Sequence, residues 1–290
     1  MQANDLAPRN IDRVDVHAHF LPECYLSALR QAGLERPDGM PGLPDWSVDG
    51  ALATMDQLGV RMALLSIPSP GVHFGDPGPA RVLARQVNEA AHALQQAHPG
   101  RFGQFAALPL PDVQAAIREA IHALETLGAA GVLLSSNHQG MYLGDPRLDP
   151  LYSELNQRGS LVFVHPTSPA CSCCPRLADR YPQPMLEFMF ETTRSVTDMI
   201  LAGVLQWFHL YFDLAGSPVP HQLRALLEVA DPQRILYGSD YPFTPRQACD
   251  SLLRQLERTP LLEAPLRDMV WRDNAIKLLS TTDAGRVGIA

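Results

Sequence analysis

Two histidines one residue apart close the run Arg13-Val14-Asp15-Val16-His17-Ala18-His19-Phe20, in which Val14 and Val16 alternate with polar neighbours. That alternation predicts a short strand, and side chains two apart on a strand share a face. His17 and His19 therefore converge on one small object. A divalent metal is the object that two neutral imidazoles most often share, although two unrelated surface histidines would look the same in isolation. Further along, Leu161-Val162-Phe163-Val164 ends on His165-Pro166, and Arg234-Ile235-Leu236-Tyr237-Gly238 ends on Ser239-Asp240. His165 is alternatively a buried ring satisfied by a backbone carbonyl. Asp240 suits a helix cap or turn as well as a metal or proton-transfer role, and Gly238 beside it permits close backbone approach. Three imidazole nitrogens and one carboxylate at strand ends suit one zinc ion, with manganese or cobalt as similar candidates.

Holding four such residues together takes strands and helices in alternation. Residues 48–59 have helical spacing at Leu52, Met55 and Leu58, and 61–67 follow as a nearly continuous apolar run, the pattern of a strand buried on both faces. Helices are predicted over 79–98, 111–127, 148–158 and 185–205, with strands at 102–108, 131–135 and 161–164. Such an order predicts a parallel sheet with helices outside it, and in a barrel the functional face lies at the C-terminal strand ends. No repeat or linker divides the chain, so one α/β domain over 1–290, with a core over about 11–279, is expected.

Composition narrows the function classes. The 290 residues are 46% hydrophobic, enough for a large core, and carry a net charge of -8 with a pI of about 5.6. That balance argues against a nucleic-acid or anionic-membrane partner, while a metal and a few arginines still admit a small carboxylate substrate. No signal-peptide pattern and no apolar stretch of spanning length is found. Cys171, Cys173 and Cys174 crowd one loop while Cys24 and Cys249 stand apart, which reads as reduced thiols in a cytoplasmic protein.

With these residues in place, the chain resembles the amidohydrolase superfamily, in the branch of aminocarboxymuconate-semialdehyde decarboxylase. The resemblance rests on Asp15-Val16-His17-Ala18-His19-Phe20, Val164-His165-Pro166, Tyr237-Gly238-Ser239-Asp240-Tyr241-Pro242 and Asn274-Ala275. Similarity to 6-methylsalicylate decarboxylase-like sequences adds Pro37-Asp38-Gly39-Met40-Pro41, 69–75 and 102–106. The resemblance implies a (β/α)8 TIM-barrel-like fold and a divalent metal held by His17, His19, His165 and Asp240, with Asp240 also the catalytic candidate. It further implies non-oxidative decarboxylation in some members and hydrolysis in others. A homodimer is expected.

One departure stands out. Seven strands are counted, starting near 14, 62, 102, 131, 161, 209 and 234, where a barrel of this type needs eight. The family's sixth strand has no counterpart between 164 and 209, nor does its terminal His-x-Gly-Gly motif or the helix behind it. The histidine lost there is the family's proton-transfer residue. His209 lies on the N-terminal side of its strand and is not read as a replacement. His73, in the loop after the second strand, and Arg194, on the helix after the fifth, are candidate substrate contacts, Arg194 because a guanidinium can pair a carboxylate bidentately. The cysteine loop, a few residues past His165, could approach the metal, but it is read as reduced thiols. His92, His98, His122 and His138 read as surface residues, and Met185-Leu186-Glu187-Phe188-Met189-Phe190 as a core or subunit-contact face. The leading expectation is a carbon-carbon lyase acting on a small aromatic or unsaturated carboxylic acid. A hydrolase of a cyclic ester or amide, or an impaired metal-binding barrel, are the alternatives.

Overall fold

A computed structural model describes residues 12–170, 181–206 and 208–281. Four strands, β1 (Arg13–His19), β2 (Val60–Ser66), β3 (Phe102–Ala107) and β4 (Gly131–Ser135), pair in parallel and in chain order. A two-residue hairpin follows, β5 (Asn137–His138) with β6 (Met141–Tyr142). The fifth barrel strand, β7 (Leu161–His165), then pairs with β4. Two short strands, β8 (Phe212–Asp213) and β9 (Ile235–Leu236), pair with each other in parallel. The segment leaving β9 joins β1 through Val16 N donating to Tyr237 O at 3.0 Å and His19 N to Tyr241 O at 2.8 Å. The order around the barrel is therefore β8-β9-β1-β2-β3-β4-β7. Among the described residues nothing pairs β7 with β8, so the sixth position is open, as the strand count predicts.

The longer helices among the described residues are α1 (Glu23–Gln31), α2 (Val48–Leu58), α3 (Pro77–Ala97), α4 (Val113–Glu125), α5 (Asp149–Gln157), α6 (Glu187–Leu201), α7 (His221–Val229), α8 (Arg246–Arg258) and α9 (Asn274–Ser280). Of these nine, the five from α2 to α6 lie where the periodicity places them. Local chemistry sets their ends. Ser47 Oγ accepts from Gly50 N at the start of α2, and Gly59 closes it at φ 65, which a residue with a Cβ seldom adopts. Asp112 caps α4 through Ala115 N.

Register decides what faces inward. Ala107 pairs with Leu133, Leu133 with Phe163, and Ser135 with His165, so these side chains share the barrel interior. Phe105 and Phe163 stack there with centroids 5.1 Å apart. The outward residues Val132, Leu134, Val162 and Val164 meet α4, α5 and α6 in a second apolar cluster with Tyr152 and Met199. Two readings change in detail. The strand expected from 209 shrinks to Phe212–Asp213, and the helix expected over 185–205 covers Glu187–Leu201 before a 3-10 turn. The Met185–Phe190 stretch is not core. Met185 is 69% exposed and Met189 55%, while Glu187 and Glu191 point inward. Glu191 is buried because Asn137 Nδ2 and Tyr142 Oη donate to it at 2.9 and 3.0 Å, which rotates the apolar side of α6 outward.

Candidate metal centre

β1 delivers His17 and His19 to the C-terminal mouth on one face, β7 delivers His165, and the turn after β9 delivers Asp240. One ligand-type atom from each of the four lies within 4.8 Å of the others. Asp240 Oδ1 is 3.3 Å from His19 Nε2 and 3.6 Å from His17 Nε2. The His165 ring meets His19 edge-on at 4.8 Å and His17 at 5.2 Å. Asp240 is not a helix cap, since α8 starts at Arg246. It sits instead at φ 59, a left-handed conformation that costs a non-glycine residue energy and recurs at functional sites. Its Oδ2 accepts from Thr244 Oγ1 at 2.9 Å, leaving Oδ1 to face the histidines.

Partners behind the rings fix their tautomers. His19 Nδ1 lies 3.3 Å from the carbonyl oxygen of Ser66. His17 Nδ1 lies 3.2 Å from Asp213 Oδ1. A carbonyl and a carboxylate only accept, so each Nδ1 carries a proton, and a bound cation would take the lone pair of each Nε2. His17 Nε2 is buried and has no hydrogen-bond partner, an expensive arrangement unless a cation receives it. The donor set and this orphaned nitrogen fit a single divalent ion.

Asp213, at the end of β8, and Asp15 escaped the sequence reading as site residues. Asp213 Oδ1 also accepts from Ala215 N at 2.9 Å. Asp15 Oδ1 accepts from His17 N at 3.1 Å and Ser239 N at 3.0 Å, which pins the two ligand-bearing segments together. The one available signal was a carboxylate at a strand end, Tyr211-Phe212-Asp213, on the same side as Asp240. Gly238 makes the approach possible: a Cβ there would lie 2.8 Å from His17 Cβ and 2.9 Å from Asp213 Oδ1.

The charges follow from this packing. Burial opposes a charge on His17, yet Asp213, Asp240 and Asp15 raise its pKa to about 9. Burial lowers His19 and, reinforced by the neighbouring histidines, takes His165 well below its ordinary value. Burial resists ionisation of Asp240, but the hydrogen bond from His19 and the charge of His17 pull it below the usual carboxylate value. Burial lifts Asp15 to about 6. The cluster thus keeps anionic oxygen beside His19 and His165, which burial holds short of charge, while His17 keeps a proton that a bound cation would displace.

A cavity of about 230 Å³ lies on the same C-terminal side of the sheet, and although none of the four ligand candidates lines it, Thr167, two residues beyond His165, does. The cavity opens at the C-terminal ends of β2, β3, β4 and β7, and Ser135, the register partner of His165, lines it. His73 lines it. Arg194 does not, since it is half-exposed and paired with Glu191 on its own helix. His138 lines the cavity too, because the β5–β6 hairpin folds back over the mouth. It is half-buried, not a surface residue, and its Nε2 has no hydrogen-bond partner. His209 is exposed ahead of β8, away from the cluster. Cys171, Cys173 and Cys174 lie outside the described residues, and Cys24 and Cys249 are free thiols.

The model of the amidohydrolase family (Amidohydro_2) matches residues 14–281. The chain belongs to the amidohydrolase family. Within it the decarboxylase yanB of Aspergillus niger is 32% identical, over 92% of this chain and 87% of its own length. The 6-methylsalicylic acid decarboxylase of Penicillium expansum is also 32% identical, over 89% and 93%. The solved structure of an amidohydrolase II, 30% identical, matches with a TM-score of 0.87 over 92% of this chain and 99% of its own. A 5-carboxyvanillate decarboxylase from Novosphingobium aromaticivorans holds manganese. At 20% identity and a TM-score of 0.79, over 92% and 96% of the two chains, it shares the fold. The yanB alignment spans 323 residues against the 290 of this amidohydrolase, so that relative carries residues this chain lacks. No helix among the described residues is long and apolar enough to cross a membrane.

Proposed function

We propose that this amidohydrolase is a metal-dependent, non-oxidative decarboxylase of a benzoate-like acid with a hydroxyl beside the carboxylate. One observation carries the reading: four ligand atoms within 4.8 Å of one another on the same side of the sheet as a cavity of about 230 Å³. His17, His19, His165 and Asp240 would hold one divalent ion, zinc by the chemistry of three imidazoles and one carboxylate. When bound, the ion supplies positive charge that grips substrate oxygens and stabilises charge developing on them. The chain's own residues do the rest. Asp213 and Ser66 hold the rings of His17 and His19 in place, and Phe163, stacked on Phe105, meets the His17 ring edge-on at 5.0 Å. Decarboxylation protonates the ring carbon that bears the carboxylate. The bond to the carboxyl carbon then breaks, and carbon dioxide leaves as the ring regains its π-system. Asp240, the one carboxylate among the ligands, is the group placed to hold or return that proton. His73 contributes to the cavity wall. Arg194 has no part in this reading.

Elemental analysis of protein purified without chelators is expected to find one metal ion, zinc ahead of manganese or cobalt, and to lose it in a His17→Ala, His165→Ala double variant. Incubation with hydroxybenzoates is expected to release carbon dioxide and the matching phenol by mass spectrometry. Turnover confined to cyclic esters or amides would replace the lyase with a hydrolase, and bound metal with no turnover would leave an impaired binding barrel. A single domain in the cytoplasm, acting as a homodimer on a small carboxylate without nucleic acid or membrane, completes the proposal. The exposed Met185, Leu186, Met189 and Phe190 support a subunit contact, which sedimentation velocity reads directly.

A further inference from the structure

The cavity has two unlike ends. On the sheet side its wall is apolar, formed by Ala107, Leu108, Leu110 and Leu133. At the mouth stands Asp38, carried by a short 3-10 turn between α1 and α2. Its backbone adopts φ 56 and ψ 23, left-handed values that a side chain tolerates at a cost, and which direct the carboxylate toward the loop after β7. Ser168 Oγ donates to Asp38 Oδ1, and the Ser168 backbone and the Ser69 hydroxyl also hydrogen-bond the carboxylate. Ser69 Oγ is in turn 2.6 Å from Thr167 Oγ1. Burial pushes the Asp38 carboxyl above its ordinary value, with these hydrogen bonds pulling the other way.

Two counts decide what this end can receive. A carboxylate offers about four acceptor sites, and three protein donors leave room for one more. No arginine or lysine is among the described residues that line the cavity; of its two histidines, His138 is held neutral by burial and His73 Nδ1 accepts from Gly75 N at 3.2 Å. An anionic group is thus unwelcome at the mouth, and a substrate's reacting carboxylate belongs at the ligand cluster. What the mouth can accept is a hydrogen-bond donor.

Resting on the decarboxylase reading, we propose that Asp38 is a specificity-determining residue. It accepts a hydrogen bond from a hydroxyl or amino group on the substrate ring, remote from the reacting carboxylate. The preferred substrates are then aromatic acids with a second donor across the ring, and diacids are excluded.

The test compares salicylate, gentisate, β-resorcylate and hydroxyterephthalate on wild type and Asp38→Asn, a variant that keeps size and tolerance of the left-handed turn. In the wild type, gentisate or β-resorcylate is expected to exceed salicylate in kcat/KM by about tenfold, the scale of a site built to pair a hydroxyl. The diacid should be poorest. Asp38→Asn should collapse the ratio between dihydroxy and monohydroxy acids, whereas a mere loop tie would lower all rates together and reduce the melting temperature. An unchanged ratio, a uniform loss, or the diacid as best substrate overturns the inference. Calorimetric binding of hydroquinone, resorcinol and phenol to the same two proteins separates it from the underlying reading. If no acid is decarboxylated, the lyase reading fails, and Asp38 still stands or falls on whether the diphenols bind more tightly than phenol only when it is present.

Discussion

The closed side of the barrel and the side facing the seam differ in what surrounds otherwise similar strands. β1 and β3 are buried at every residue. β7, with a more apolar sequence, is half-buried from Leu161 to Val164 and fully buried only at His165. Across the seam, Phe212 of β8 is 37% exposed. The missing neighbour explains the difference, since an unpaired strand edge leaves backbone and side chains to solvent. Three of the four proposed ligands, His17, His19 and Asp240, belong to the closed side. His165 alone stands on a seam strand, and it is the buried end of that strand. A chain can therefore lack its sixth unit and keep the four candidate ligands together, because none of them lies on the missing strand. The proton-transfer group that the family carries there does.

Restoring the neighbour should have the largest effect. Inserting a relative's sixth βα unit after Gln206 is expected to raise decarboxylation by about 100-fold, the lower end of what a positioned proton-transfer group supplies. It should also raise the melting temperature, by covering the edges of β7 and β8. Stopped-assay rates and calorimetry on both proteins check this. Equality in both would mean that the seam is harmless and the contrast between the two sides carries no energetic weight.

The two β1 histidines offer a finer comparison. A backbone carbonyl of the closed side, Ser66 O, orients His19, whereas a side chain of the seam strand, Asp213, orients His17. A carbonyl survives substitution and a carboxylate does not. Asp213→Asn is expected to weaken metal binding by about 10–100-fold, the usual cost of losing such a partner. Ser66→Ala removes the hydroxyl 3.1 Å from His19 Nδ1 but keeps the carbonyl behind the ring, and should cost less. Competition with a chromophoric chelator measures both. Equal losses would show that the seam strand orients no better than its neighbours.

The difference between these partners also marks what the sequence could reveal. His17 and His19 were legible because a two-residue spacing on an alternating strand fixes a shared face, whatever the rest of the chain does. His165 and Asp240 were legible because apolar runs of strand length lead into them. The gap could be counted, since a βα unit has a minimum length. Asp213 was not legible, because β8 is two residues long and gives no period from which to read a direction. The placement of Arg194 away from the cavity and of the Met185–Phe190 stretch outside the core has one shared reason. Helical periodicity finds an apolar face, but here hydrogen bonds from Asn137 and Tyr142 draw Glu191 inward, and Arg194 follows it as an ion pair. Tertiary hydrogen bonding, not hydrophobicity, sets which side of α6 faces in.

His138, on the hairpin that Glu191 grips, gives the smallest expected effect and a signed one. Burial, with a lesser push from His73, lowers its pKa from 6.5 to about 3, so the folded protein keeps this ring neutral. An unfolded chain protonates it as pH falls below about 6.5. Between about pH 6.5 and 3 the unfolded state therefore takes up a proton that the folded state refuses, and stability declines with acidity. Above about pH 6.5 both states hold a neutral ring and the residue is silent. Replacing it by glutamine, which cannot charge, should leave the urea midpoint near pH 8 little altered, within about 0.5 kcal/mol. Toward pH 5 the variant should become the more stable of the two. Other histidines titrate in the same window, but they contribute to both proteins, and the difference between the two curves isolates His138. Parallel curves would place this ring in contact with water, and the hairpin would then belong with the open side of the molecule.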